Sequence, residues 1–421
     1  MKILYLNAYF YPEDLASSYL GHNVREALAK SDSSIVLFAP TPSRGVSKEM
    51  RKEYSSSKKR EIWYDGKMSI NRFSLFAEAN NPLLRAFRYV LVALKLFNRA
   101  VFNKSAKSCD VMVIPSTPPI MGLISGWAKK INHIPIIYLL QDVFPDSLVG
   151  TGMTYKGSLL WKIGRWIENY TYKNADKIIV ISHDFKKNIM MKGVPEDKIV
   201  LIYNWVDENA ILPVNDEDND LFETFGISRD KFRVLYAGNL GNAQNIQIIV
   251  DAARRFRDND KIEFIVFGKG GQENEIKETK MKEQLDNLKI FPLQPYDRVA
   301  KVYGLGCVCI VACKPGLGGA AMPSKTWSIL SSGRAVLANF DDSELKEILE
   351  ENKCGIFTKS GDIDSFVSAI KKLAQNPEIC VEMGKNGRQF ILDNLTREVG
   401  TRKYVEVIGS VALNSPNYIH H

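Results

Sequence analysis

Eleven short apolar runs, separated by longer amphipathic stretches, recur along this chain. In the first half they are Lys2–Leu6, Ile35–Phe38, Val111–Ile114, Ile134–Leu139 and Lys177–Ile181. In the second half they are Phe232–Tyr236, Ile262–Phe267, Leu288–Phe291, Val308–Val311, Ala335–Ala338 and Gly355–Thr358. Strands that alternate with helical segments bury both faces of a parallel sheet under helices. The pattern therefore predicts an α/β chain with two doubly wound, Rossmann-like parallel-sheet domains. At roughly 100–200 residues per domain, 421 residues also imply two domains. The junction is expected near 203–216, where Asn204 and Trp205 precede the acidic run from Val214 to Asp220.

The composition narrows the function classes. With 45% hydrophobic and 25% charged residues, the chain has apolar mass for two cores. No window approaches the ~18 apolar residues of a membrane span; the strongest, 89–97, is short and contains Lys95. The opening residues read as a first strand, not as a signal peptide. Six cysteines lack metal-ligand spacing, which fits reduced thiols in a cytoplasmic protein without a metal site. The formal charge of +8 allows nucleic acid, an anionic membrane or an anionic small substrate as partner. No nucleic-acid-binding module is recognisable, so nucleic acid is not expected. The charged, apolar-poor segment 43–61 reads as a mobile loop.

The most chemically suggestive stretch runs from 311 to 338. An apolar run ends at Cys313, followed by a turn with Gly316, Gly318 and Gly319. Pro323, Ser324 and Lys325 then open a short helix that Gly333 ends. A glycine turn before a helix opened by serine leaves backbone N–H groups free for an anion. A lysine in the first turn is unfavourable for the helix itself, and makes better sense with a phosphate in front of it. An ordinary surface lysine beside a loop is the alternative.

Two other segments carry basic and aromatic residues together. In 83–102, Arg85, Arg88, Lys95 and Arg99 fall on one helical face, with Phe87, Tyr89, Phe97 and Phe102 interleaved. In 159–173, Leu159, Ile163, Trp166 and Tyr170 form an apolar stripe beside Lys162 and Arg165, with Lys173 further on. Two readings stay open. Either both helices pack on a sheet and wet their basic sides, or the Arg85–Arg99 stripe faces solvent and docks on an anionic membrane surface.

Ligands in doubly wound sheets bind beyond the carboxyl ends of the strands, and two such sheets can face each other across a cleft. The segments that follow those ends are rich in glycine and polar residues: 237–244, 268–271 and 292–296 in the second half, and 7–14, 115–119 and 141–147 in the first.

In order, Pro118-Pro119, QDVFPDS at 141–147, 181–207, YAGNLGNAQN at 236–245, PSKTWSILSSGRAVLA at 323–338 and DDSEL at 341–345 resemble the GT-B glycosyltransferases of family 4. The bacterial capsule and O-antigen branch, which includes N-acetyl-fucosamine transferases, is the most similar. The resemblance implies a retaining, metal-independent transferase with a UDP-sugar as co-substrate and no cofactor. It further implies a polyprenyl-diphosphate-linked acceptor and a peripheral place on the cytoplasmic face of the membrane. It divides the chain into an acceptor domain at 1–205, a nucleotide-sugar domain at 206–399 and a helix at 400–419 that returns to the first.

Carried over residue by residue, the resemblance makes Asp142, Lys325 and Gln141 the catalytic candidates. Asp142 then orients a sugar hydroxyl or faces the cationic sugar carbon, with turn-capping as its plain alternative. The donor would meet Gly238, Asn239, Gln244, Gly268, Lys269, Leu293, Ser324, Thr326, Ser328 and Glu344. The acceptor would meet Glu13, Asp14, Thr117 and Pro118, with turn-capping again the alternative for the two acids. Three departures stand out. Ala320 and Ser328 occupy the places of a glutamate pair, which shifts ribose recognition towards Glu344. Asn239 and Gln244 stand where the family has an arginine and a lysine, leaving Lys325 as the main cation. Gln141 replaces a histidine. A UDP-sugar epimerase on the same fold and a non-catalytic partner of another transferase are the competing readings.

Overall fold

A computed structural model describes residues 1–13, 18–78, 81–150, 152–318 and 322–418, apart from the Pro82 side chain. Asp14 and Ala320 lie outside the described residues. The chain divides into two compact units: Met1–Tyr203 with Glu398–His421, and Asn204–Arg397.

The first unit is built on eight strands: β1 (Lys2–Leu6), β2 (Ser34–Pro40), β3 (Arg60–Trp63), β4 (Met68–Phe73), β5 (Val111–Pro115), β6 (Ile136–Leu140), β7 (Lys177–Val180) and β8 (Ile199–Leu201). Their order is β3-β4-β2-β1-β5-β6-β7-β8. Only β3 runs antiparallel, against β4. The second unit holds β9 (Phe232–Asn239), β10 (Ile262–Lys269), β11 (Leu288–Pro292), β12 (Val308–Ala312), β13 (Ala335–Phe340) and β14 (Gly355–Lys359). Its order is β11-β10-β9-β12-β13-β14, parallel throughout. Both units are thus the expected Rossmann-like α/β sheets. Each winds outward from a central pair, β1 beside β5 and β9 beside β12. Beyond the carboxyl ends of that pair the chain departs in opposite directions, which leaves a crevice at the switch point.

Strands covered on both faces are nearly continuous apolar runs. Val234, Leu235 and Tyr236 of β9, and Phe264, Ile265 and Phe267 of β10, have no exposed surface. The sixth strand begins at Ile136 and not at Ile134. Pro135, which has no N–H to donate, sits just ahead of it and accepts from Met112 N at 2.8 Å.

Segment 43–61 corrects the expectation of a loop. It contains a helix, Lys48–Ser55, whose N-cap Ser47 hydroxyl accepts from Met50 N at 3.1 Å. It continues into the β3–β4 hairpin. Charged side chains hold it: Tyr54 is buried under the Arg72 guanidinium, 4.6 Å from its ring centroid, and Arg72 pairs with Glu61 at 2.9 Å.

The basic stripe on the helix Pro82–Phe102 does not face solvent as a unit. Arg88 has no exposure; it donates to Phe76 O at 3.2 Å and to Ser43 Oγ at 2.9 Å, with Glu78 at 4.0 Å. Arg85 pairs with Glu78 at 3.2 Å, and Lys95 donates to Ser74 O at 2.7 Å. Lys95 and Arg99 are exposed. Helical spacing correctly groups these side chains; the segment 73–78 then draws in those nearest it.

Reversal of Arg88 tests this packing. Arg88→Glu buries a carboxylate against Glu78, and loss of a buried paired charge costs about 3–5 kcal/mol. Urea unfolding followed by far-UV circular dichroism should show a loss of that size. Lys95→Glu, at an exposed position, should stay within about 1 kcal/mol. Equal effects of the two changes would contradict the burial of Arg88.

Candidate active site

In the second unit the switch point lies beyond β9 and β12, and the best-defined polar cluster sits there. Tyr236 and Gly238 are two residues apart on β9, so they share a face. The Tyr236 hydroxyl donates to Asn239 O at 2.6 Å and accepts from Lys325 Nζ at 2.8 Å. The same ammonium lies 4.0 Å from the Tyr236 ring centroid, a cation–π distance. Gly238 has φ +143°, and a Cβ there would stand 3.1 Å from Lys325 Nζ. Glycine is therefore required both by the backbone and by the lysine in front of it.

The neighbouring loops are stitched to this point. Gly268 pairs with Gly238, and Lys269 with Asn239, across β9 and β10. A Cβ on Gly268 would lie 2.6 Å from Gly238 O. Leu240 N donates to Lys269 O at 3.0 Å, and Lys314 N to Ala243 O at 2.8 Å. The second bond ties the loop beyond β12 to the loop beyond β9. Gly318 N donates to Asp341 Oδ2 at 2.8 Å, anchoring the 314–318 turn beyond β13.

Lys325 has unusual electrostatics. The residue keeps some exposure, but its ammonium end is enclosed by protein, and among the described residues no carboxylate pairs with it. Burial lowers its pKa from the ordinary 10.5 to about 7. Burial also raises the Tyr236 hydroxyl well above its usual range, so that group stays protonated. A phosphate oxygen at the ammonium would supply the missing counter-charge and restore the charged form.

The helix Lys325–Ser331 departs from expectation in detail. Ser324 is already helical, with φ −55° and ψ −26°, and makes no side-chain cap. Thr326 N donates to Pro323 O at 2.9 Å, so that amide is taken. The Thr326 side chain is fully buried, and its Oγ1 has no hydrogen-bond partner among the described residues. Ser324 is exposed and Ser328 half-buried. Asn239 and Gln244 both flank Gly241: a Cβ there would lie 2.9 Å from Asn239 Nδ2 and from Gln244 Oε1. Lys269 is exposed. Leu293, half exposed, follows β11, whose Pro292 pairs with Gly268. Glu344 is buried at the start of the helix Glu344–Glu351, beyond β13. The structure thus gathers Gly238, Asn239, Gln244, Gly268, Lys269 and Lys325, and leaves Leu293 and Glu344 at the ends of adjacent strands. Tyr236 is the residue that sequence reasoning missed. Its signal was the two-residue step to Gly238 on one strand face.

In the first unit the candidates lie on loops beyond β1, β5 and β6, which are adjacent strands. The Glu13 carboxylate accepts from Phe10 N at 3.2 Å, Ser43 N at 2.8 Å and Arg44 N at 2.9 Å. It is buried and joins the loop beyond β1 to that beyond β2, a backbone-fastening role that leaves little of it for an acceptor. Thr117 is exposed, Pro118 buried, and the peptide between them is cis. Gln141 N donates to Ser116 Oγ at 3.2 Å, and the Gln141 side chain hydrogen-bonds the buried Tyr404 hydroxyl of the helix Arg397–Ala412. That bond occupies Gln141 structurally. Asp142 reaches solvent and accepts from Ser147 Oγ at 3.3 Å. Protein closing on one side raises its pKa, against the lowering effect of the Ser147 bond.

Comparison with known proteins fits this geometry. Residues 22–210 match the model described as Glycosyltransferase Family 4, and 217–390 match Glycosyl transferases group 1. The two halves of the chain are thus similar to two different glycosyltransferase models, and its two sheets have the GT-B fold. The "Putative colanic acid biosynthesis glycosyl transferase WcaI" of Escherichia coli is 28% identical over 264 residues, 62% of this chain and 63% of that one. The "Probable glycosyltransferase WbjE" of Pseudomonas aeruginosa is 26% identical over 276 residues, 65% of this chain and 66% of its own length. The matches therefore span just under two thirds of these curated relatives. Among solved structures, Anabaena Alr3699/HepE in complex with UDP superposes with a TM-score of 0.72 at 14% identity, covering 97% of this chain and 100% of that one. Sucrose-phosphate synthase from Thermosynechococcus elongatus gives 0.75 at 15%, covering 98% and 100%. At such identities these two structures speak to the GT-B fold alone.

The Lys325 pKa has a signed consequence for this GT-B protein. Below about pH 7 the ammonium is charged in both folded and unfolded chains, and its burial opposes folding in full. As pH rises from there towards the ordinary lysine value, the unfolded chain keeps a proton that the folded one has released. Stability of the ligand-free protein therefore rises with pH through this window. Lys325→Met lacks this contribution. The stability of the wild type minus that of the variant should increase between about pH 6.5 and pH 9.5 in denaturant titrations. Parallel profiles would contradict the enclosed ammonium.

Proposed function

We propose that this protein transfers a sugar from a UDP-sugar to a lipid-linked or saccharide acceptor in bacterial surface-polysaccharide synthesis, with retention at the anomeric carbon. The observation that carries the reading is the enclosed Lys325 ammonium, held by a tyrosine hydroxyl at a sheet switch point and lacking a carboxylate partner among the described residues. Two features support it: the similarity to an Escherichia coli protein named for colanic acid biosynthesis, and the UDP in the Anabaena HepE complex. The resemblance to the capsule and O-antigen branch supports an N-acetylated deoxyhexose or hexosamine as the sugar. It also supports a polyprenyl-diphosphate-linked acceptor and work at the cytoplasmic face of the membrane, without a required metal.

The chemistry follows from charge. The bond between the anomeric carbon and the β-phosphate oxygen breaks, and its electron pair leaves with UDP. Negative charge grows on that phosphate, and Lys325 with the Asn239 and Gln244 side chains stabilises it. The acceptor hydroxyl oxygen forms the new bond on the same face of the sugar. Its proton passes to the departing phosphate, so no protein base is needed. Asp142, which reaches solvent and already accepts from Ser147 Oγ, meets a sugar hydroxyl as a hydrogen-bond acceptor. The loss of two family cations at Asn239 and Gln244 makes the phosphate site depend more heavily on one lysine.

A thermal-shift screen with UDP-, GDP- and CDP-sugars should raise the melting temperature for the uridine class alone, through binding to the folded state. Lys325→Ala should lower kcat by at least ~10²-fold, the scale of one lost donor to a developing oxyanion. Asp142→Asn should lower turnover while leaving UDP affinity unchanged. Wild-type turnover in Lys325→Ala would sink the phosphate assignment. Conversion of UDP-sugar without any acceptor would instead favour an epimerase.

A further inference from the structure

Two helices of the first unit turn apolar faces outward. On Pro82–Phe102, Leu83, Phe87, Val90 and Leu94 follow one another at steps of four, three and four and are all exposed, Leu83 by 81%. On Leu159–Asn174, Leu159, Leu160, Ile163 and Trp166 are exposed, Leu159 by 75%. That helix packs inward through small and polar residues instead. Gly164 sits so close to Phe144 that a Cβ would lie 2.7 Å from its ring. Glu168 is buried, bonded to the Tyr172 hydroxyl at 2.7 Å and to Lys192 at 2.8 Å. The helix Ile120–Asn132 lies between the two and adds exposed Trp127 and Ile131. Its Trp127 ring is 6.3 Å from Phe97 of one neighbour, and a Cβ on its Gly126 would lie 2.7 Å from Tyr170 of the other. The three faces therefore form one apolar surface, and a monomer rarely leaves one so extended without a partner.

The charge around this surface selects the partner. The outer two segments and the middle one contain a single acidic residue, the buried Glu168. Arg99, Lys130, Lys162 and Lys173 are exposed, and none has an acidic partner among the described residues. Lys130 Nζ lies 5.4 Å from the Tyr170 ring centroid, within the surface itself. A second copy of the same face would bring like charges together. An anionic bilayer offers apolar depth and negative charge at once, and tryptophans favour the level of the headgroups. No helix among the described residues is long and apolar enough to cross a membrane.

We propose that the outward faces of these three helices form a docking surface for an anionic lipid bilayer, with Leu83, Phe87, Leu94, Trp127, Ile163 and Trp166 entering the headgroup–acyl boundary. Apolar insertion carries the attachment, and the surrounding cations add to it. This deepens the lipid-linked acceptor reading, but rests on the first unit alone.

Co-sedimentation of the full chain with phosphatidylglycerol/phosphatidylethanolamine vesicles tests it, with phosphatidylcholine vesicles for comparison. The wild type should bind the anionic vesicles, with a blue shift of tryptophan emission and quenching by brominated acyl chains. Raising salt from about 0.1 M should weaken the binding without abolishing it, since only the charge part is screened. The fourfold variant Phe87→Gln, Leu94→Gln, Ile163→Gln and Trp166→Gln changes only exposed positions. It should keep its circular dichroism and its turnover on a water-soluble acceptor, and lose at least ~10²-fold in partitioning, since four large apolar side chains no longer leave water. Three results would overturn the proposal: folded wild type that ignores anionic vesicles at low salt, a variant that binds as well as wild type, or a stable dimer that the fourfold change dissolves. Absent UDP binding would sink the transferase reading while the vesicle result stood on its own.

Discussion

An ammonium with a phenol for a neighbour and, among the described residues, no carboxylate is the constraint around which the second unit is arranged. To hold Lys325 Nζ against Tyr236, β9 must carry glycine at 238, because any side chain there would meet the lysine. To let the loop beyond β9 pass, β10 must carry glycine at 268, because Gly238 O stands in the way of a Cβ. The order β11-β10-β9-β12-β13-β14 then puts this cluster at the point where the chain winds away in both directions. A buried cation without a counter-charge opposes folding. Its persistence makes chemical sense if an anionic substrate completes it.

The first unit stores a second departure from ordinary packing. Its helix Leu159–Asn174 buries Gly164, Thr171 and the ion-paired Glu168 and exposes Leu159, Ile163 and Trp166. Fully satisfied polar contacts make such burial tolerable: Glu168 has Arg165, Lys192 and the Tyr172 hydroxyl. An exposed apolar surface of this kind is a feature of the folded state that needs a second phase to lie against.

Much of this was legible in the residues. Strands of a parallel sheet buried on both faces are continuous apolar runs, and β1, β9, β10 and β12 stood out for that reason. The hairpin strand β3 and its partner β4 did not: Arg60, Glu61, Asn71 and Arg72 interrupt them, and pairing at an edge with ion-pair support compensates. β8 is only three residues long. Lys325 announced itself by its position in a first turn, but its partner Tyr236 read only as the end of a strand. Arg88 was misjudged because helical spacing shows which side chains share a face, not which face is inward. The helix Pro82–Phe102 has apolar residues on both sides, Val92 and Leu96 within and Phe87 and Leu94 without, so periodicity had no single answer. Glu13 and Gln141 make long-range bonds to Ser43, Arg44 and Tyr404, which no local sequence pattern shows.

A diphosphate arriving at Lys325 should change the protonation of its ammonium. Calorimetric titration of UDP, run near pH 8 in two buffers of different ionisation enthalpy, counts the protons exchanged on binding. With the free lysine at about pKa 7 and the bound one restored to its charged form, binding should take up close to one proton, and affinity should fall as pH rises. Lys325→Met should take up none from this source and bind more weakly. Tight UDP binding with the same proton count in wild type and variant would contradict the claim that this lysine faces the phosphate.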